Sequence, residues 1–253
     1  MPLLETIGLI SSIAIALPII AILVLRLTTF KTYSFLLLYL VMIFAYNFLQ
    51  LGYISASENF IDKAAAADNF LDVPLMLLFT LSLYPSKLFK GIVTVAVALL
   101  TLTSVLIISI LGFSIYTATY VLGPGILILF LLSVYLTWNN LRLSVRRKSA
   151  TGRAIISAGL LFMYGSYLIL YTIVYVLNDA HIEQALLLFY TCTTIACIAI
   201  SVGAYFESRR YYRLKELKIT RKELSQIYGG QKQNKASLLE AALFPGEQFT
   251  VKN

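Results

Sequence analysis

The sequence predicts an all-α integral membrane protein: a bundle of seven transmembrane helices, with the amino terminus outside and the carboxy terminus inside. Three observations carry that expectation. The 253 residues have a mean hydropathy of +0.84 and only 13% charged side chains, which lies outside the range of soluble domains. Seven apolar stretches are long enough for a hydrocarbon core about 30 Å thick, which takes roughly 20 helical residues to cross. Finally, lysine and arginine concentrate in alternate connections between those stretches, the pattern that cytoplasmic loops leave.

The first span is Ile7 to Leu25. Its start, MPLLET, has no positively charged region, so the span is expected to remain and to act as its own insertion signal. The second, Ser34 to Tyr53, carries Tyr39, Tyr46 and Tyr53 at steps of seven, which mark one helix face. The third, Asp68 to Tyr84, is the shortest and holds the intramembrane carboxylates Asp68 and Asp72 ahead of Pro74. The fourth, Ile92 to Leu111, carries Thr103 and Ser104 among its aliphatic residues. The fifth, Tyr116 to Thr137, contains Gly123-Pro124-Gly125, where a kink is expected. The sixth, Ala154 to Leu177, repeats tyrosine at 164, 167, 171 and 175, again on one face. The seventh, Ala185 to Phe206, contains Cys192 and Cys197; two thiols on one helix with no histidine nearby read as packing residues.

Arg26, Lys31, Lys87, Lys90, Arg142, Arg146, Arg147, Lys148 and Arg153 fall on one side with the basic tail, and Lys63 alone on the other. The net charge of +8 is therefore mostly topological. It favours the bilayer's anionic lipid head groups and gives no nucleic-acid patch, since no exposed aromatic platform accompanies it. The outer segment SASENFIDK and the inner segment NNLRLSVRRKSATGR are the longer loops expected. Residues 1–208 read as the transmembrane domain, 209–228 as an amphipathic cytoplasmic or bundle-extending helix, and 229–253 as a mobile tail with a short helix around Ser237 to Leu243. That tail is too short for a folded domain, so any signal has to pass to a separate cytoplasmic or membrane partner.

Counting about 1.5 Å per residue from Pro85 puts Asp72 about 20 Å from the inner surface. The same depth contains Ser11 and Ser12, Tyr46, Asn47 and Gln50, Thr103 and Ser104, Tyr164 and Tyr167, and Thr193 and Thr194. Polar groups in hydrocarbon are costly unless they face one another or water, so this layer is expected to point inward. Serine and threonine also bond to their own helix, and tyrosines near helix ends form interfacial belts. Asp72 is the least ordinary of the set. No Lys or Arg lies in a span to pair with it, and it is expected to keep its proton at pH 7, coupled to Asp68.

The third helix reads Ala67-Asp68, five residues, then Pro74-Leu75, and the second contains YNFLQLGY from Tyr46 to Tyr53. With seven helices and short loops, this resembles the microbial (type 1) rhodopsins over roughly residues 5 to 210. The resemblance implies that Asp68 matches the chromophore counterion, Asp72 the polar residue one turn later, and Tyr164 and Tyr167 the aromatics over the chromophore. The seventh helix, however, has no lysine, and Thr191 or Thr193 stands in the region of its usual aspartate. Ala65, Phe79 and Leu168 replace the family's arginine, proton donor and proline. A retinal Schiff base therefore cannot form, so the cofactor expectation is none covalent, with retinal, carotenoid or lipid held non-covalently. The resemblance also implies a homo-oligomer, and the expected location is the bacterial inner (plasma) membrane.

The leading functional expectation is a non-enzymatic sensor or partner-coupled module that binds a small or apolar ligand between the helices. Its candidate residues are Asp68, Asp72, Tyr46, Asn47, Gln50, Tyr164, Tyr167, Thr193 and Thr194. The alternative is a proton or ion channel or transporter using Asp68 and Asp72, although in the third helix only Thr80 and Ser82 lie below Asp72 to relay a proton. An intramembrane enzyme is the weakest reading, because there is no paired-histidine motif and the sole histidine, His181, lies in an outer loop.

Overall fold

The structure, a computed structural model, describes residues 2–29, 31–83, 87–146, 150–177 and 181–227. Seven long helices follow in order: α1 (Pro2–Val24), α2 (Lys31–Gln50), α3 (Glu58–Leu83), α4 (Lys87–Leu111), α5 (Ile115–Arg146), α6 (Thr151–Tyr171) and α7 (Ile182–Ile227). Each contains a stretch long and apolar enough to cross a membrane. A 3₁₀ turn, Leu27–Thr29, follows α1, and α6 widens into a π-helical turn over Thr172–Leu177. Pro18, Pro74 and Pro124 lie inside helices. Apolar surroundings tolerate them because neighbouring groups satisfy the carbonyls they free.

Helices end where local chemistry stops them. At the end of α2, Gly52 has φ +76° and its N–H donates to the Leu49 carbonyl at 3.1 Å, while the Tyr53 N–H donates to Phe48 at 3.1 Å. This is a Schellman stop, and the Phe48 and Tyr53 rings, 5.5 Å apart, supply the apolar contact that accompanies it. Elsewhere helices outrun the apolar stretches that predict them. α3 starts at Glu58 rather than Asp68, so most of SASENFIDK is helix. α5 and α6 together take up most of NNLRLSVRRKSATGR. The segment expected as a helix from 209 to 228 is the direct continuation of α7, a single helix of 46 residues. The expected mobile tail, with its short helix near Ser237 to Leu243, lies outside the described residues.

Packing closes a ring: α1 touches α2 and α7, α3 touches α2, α4 and α5, and α5, α6 and α7 follow in turn. α4 is the most peripheral, presenting Ile92, Val95, Leu99, Leu102 and Leu106 outward. The closest pair is α6 and α7. A Cβ on Gly203 would sit 2.9 Å from the Gly152 carbonyl oxygen, and one on Gly159 would sit 3.1 Å from that of Ala196. Small residues let these two backbones touch, the usual basis of helix association in lipid.

The bundle has a basic end and an acidic end. Arg26, Lys90, Arg142, Arg153 and the extension of α7 lie at the first, and Glu5, Glu58, Asp62 and Glu183 at the second with Lys63. Where α7 leaves the basic end, Glu207 pairs with Arg153 of α6 at 3.6 Å and with Arg210 at 3.3 Å.

Candidate functional site

Asp72 lies on the inward face of α3, only 5% exposed. The Tyr164 hydroxyl of α6 donates to its Oδ1 at 2.8 Å, joining two helices far apart in sequence. Tyr39 of α2 stands within hydrogen-bonding reach of both groups. Three helices thus converge on one carboxyl, which Tyr164 supplies with the donor that a buried oxygen requires. Tyr39 was not among the residues singled out by depth; its signal was membership of the same tyrosine face as Tyr46.

One turn toward the acidic end, Asp68 is half-buried and has no hydrogen-bond partner among the described residues. Beside it, the Tyr167 hydroxyl is 3.5 Å from Asn69 Oδ1 instead of reaching either aspartate. Tyr46 lies within electrostatic reach of Asp68 and Asp62. Asn47 is half-buried and Gln50 exposed. Thr193 is 7% exposed and its hydroxyl is unpartnered.

Much of the expected inward polar layer is instead satisfied within its own helices. Thr194 donates to the Tyr190 carbonyl, Ser12 to Gly8 and Ser104 to Leu100. Thr103 is exposed and bonded to Leu99 and Leu100. A hydroxyl closed onto the preceding turn can face lipid, so depth alone does not place it in a site. Pro124 is likewise exposed, whereas its neighbours mediate close approach. A Cβ on Gly123 would collide with the Tyr171 ring, and one on Gly125 would lie 2.5 Å from Val73. The space at Gly123 lets the Tyr171 hydroxyl donate to the Thr119 carbonyl at 3.2 Å.

The two sides of Asp72 differ in kind. Toward the acidic end, burial falls along both tyrosine faces, from Tyr39 to Tyr46 to Tyr53 and from Tyr164 to Tyr167 to Tyr175. Toward the basic end, Met76, Leu77 and Phe79 of α3, Leu36 of α2, Leu129 of α5 and Leu160 of α6 have no exposed surface. Thr80, in the same layer, donates back to the Leu77 carbonyl at 2.8 Å. From Asp72 to Phe79 this apolar layer is about 10 Å thick along the helix. The site is therefore flanked by partly buried polar and aromatic side chains on one side and by a sealed apolar layer on the other. No family model, no curated protein and no solved structure matches this chain.

Proposed function

We propose that the chain is a non-enzymatic, opsin-like sensor or partner-coupled module of the plasma membrane, without covalent retinal. Its acidic end faces outside and its basic end inside. A small ligand reaches the Asp68 and Asp72 region from outside and changes how α3 and α6 are held together. The change passes through the close α6–α7 contact to the helical extension of α7, where a partner protein docks.

The observation that supports this reading is the hydrogen bond from Tyr164 to Asp72, backed by an apolar layer on its inner side. A buried interhelical bond of this kind contributes about 1 kcal/mol in lipid, small enough for a ligand to rearrange. The same layer weighs against the proton or ion pathway, because among the described residues it places no chain of exchangeable groups between Asp72 and Phe79.

Reconstituted into liposomes under a pH gradient, the full chain is expected to pass no protons above the background of empty vesicles. Gradient-driven flux that Asp72→Asn abolishes would sink the sensor reading in favour of transport. Absorption spectroscopy and native mass spectrometry, with and without added retinal or carotenoid, test which apolar molecules the bundle retains.

A further inference from the structure

Asp68 is an acceptor without a donor, and its surroundings narrow what can supply one. Aromatic side chains from three other helices gather on this side of the bundle. Tyr167 of α6 and Phe189 of α7 have ring centroids 5.4 Å apart, and Phe189 and Tyr190 are 5.8 Å apart. The Tyr167 hydroxyl, 3.5 Å from Oδ1 of Asn69, brings this aromatic group to the level of the adjacent Asp68. Thr193, one turn along α7 from Phe189 and on the same face, contributes a buried hydroxyl with no partner.

Charge selects among ligands. An anion approaching this end meets Glu5, Glu58, Asp62 and Glu183, with Lys63 and the His181 imidazole as the cationic or titratable bases among the described residues. The same field draws cations in. A divalent metal finds too few ligands, because no three His, Cys, Asp or Glu side chains group together among the described residues. An alkylammonium group fits better: it needs one charged acceptor and electron-rich rings, and Asp68 shares this side of the bundle with Tyr46, Tyr167, Phe189 and Tyr190.

We propose that Asp68, with Tyr46, Tyr167 and Phe189, binds a small organic ammonium ion entering from the acidic end, and that Thr193 offers a second acceptor. The assignment rests on the ligand-site reading above and names the ligand's chemistry.

The test uses the full chain in maltoside micelles, which carry no choline head groups. Tetramethylammonium, choline and phenethylammonium are titrated by thermal shift and calorimetry against 3,3-dimethylbutan-1-ol, the neutral isostere of choline. The ions are expected to raise the melting temperature saturably and the neutral alcohol is not. Asp68→Asn is expected to weaken the ions about tenfold and Tyr167→Leu several-fold, with Tyr167→Phe close to the parent because the ring face remains. An equal response to the neutral isostere overturns the ammonium assignment and leaves the ligand site standing. No response to any of the three ions overturns it as well. Failure of the underlying sensor reading appears separately, as proton flux dependent on Asp72.

Discussion

Tyr164→Phe removes one hydroxyl from the centre of the bundle and leaves the ring, so no cavity opens and the loss is confined to one donor. Asp72 keeps only Tyr39 as a phenol within reach. Hydrogen bonds between membrane helices average about 0.6 kcal/mol and reach about 1.7. Orphaning a buried acceptor altogether costs about 1 to 3 kcal/mol. With one phenol left, the expected loss is about 0.6 to 1.7 kcal/mol, roughly a 3- to 18-fold drop in the folded-to-unfolded ratio. Tyr39→Phe alone is expected to cost no more than this. The double variant is expected to lose more than the sum, because the carboxyl then has no phenol at all. Tyr167→Phe is the control: its hydroxyl sits 3.5 Å from Asn69 Oδ1, too far for a strong bond, and the change is expected to be near neutral. Reversible unfolding in mixed detergent and dodecyl sulfate micelles reads all four. A Tyr164→Phe protein as stable as the parent, or no less stable than Tyr167→Phe, refutes the assignment of the α3–α6 bond.

Gly203→Ala forces a methyl to 2.5 Å from Ile156 Cγ1 and 2.9 Å from the Gly152 carbonyl oxygen. The expected overpacking penalty of about 1 to 3 kcal/mol outweighs the ~1 kcal/mol by which alanine favours a helix, and a lower melting temperature checks it. Gly52→Ala meets no neighbour but must hold φ +76°. A loss of about 1 kcal/mol in the same unfolding assay is expected from backbone strain alone, and Gly91→Ala, also in open space but without positive φ, is expected to show none. For orientation, Ser57→Cys is expected to react with an impermeant maleimide on intact cells and Tyr212→Cys only after lysis. The reverse pattern overturns the proposed topology.

The seven helices were legible because a hydrocarbon core imposes a length and composition on anything that crosses it. Their ends were not. Hydropathy reports the slab and not the hydrogen-bond ladder, so Glu58 to Ala67 and residues 138–146 read as connections although the helices continue through them, and the extension of α7 read as a helix without showing that it runs on unbroken from the seventh span. At the site, Asp72 was conspicuous as an intramembrane carboxyl, and a constant rise per residue brought Tyr164 to its level. The same count selected Tyr46 where Tyr39 reaches the carboxyl, an offset of seven residues, because rise along a helix carries no information about tilt. Thr103 and Thr194 were misleading for a different reason: their hydroxyls are satisfied by carbonyls one turn back, which sequence position does not reveal. Asn69, adjacent to Asp68 and close to Tyr167, was overlooked between two aspartates.

The unbroken course of α7 has a mechanical meaning. Beyond the Glu207–Arg210 pair, α7 runs on to Ile227 as one rod, and the close approach of Gly203 to Gly152 makes that contact its natural fulcrum. With about 36 Å of helix between Gly203 and Ile227, a tilt of about 10° at that fulcrum would swing the far end by ~6 Å. On the proposed sensor reading, a small adjustment between α6 and α7 would emerge multiplied at the end of α7.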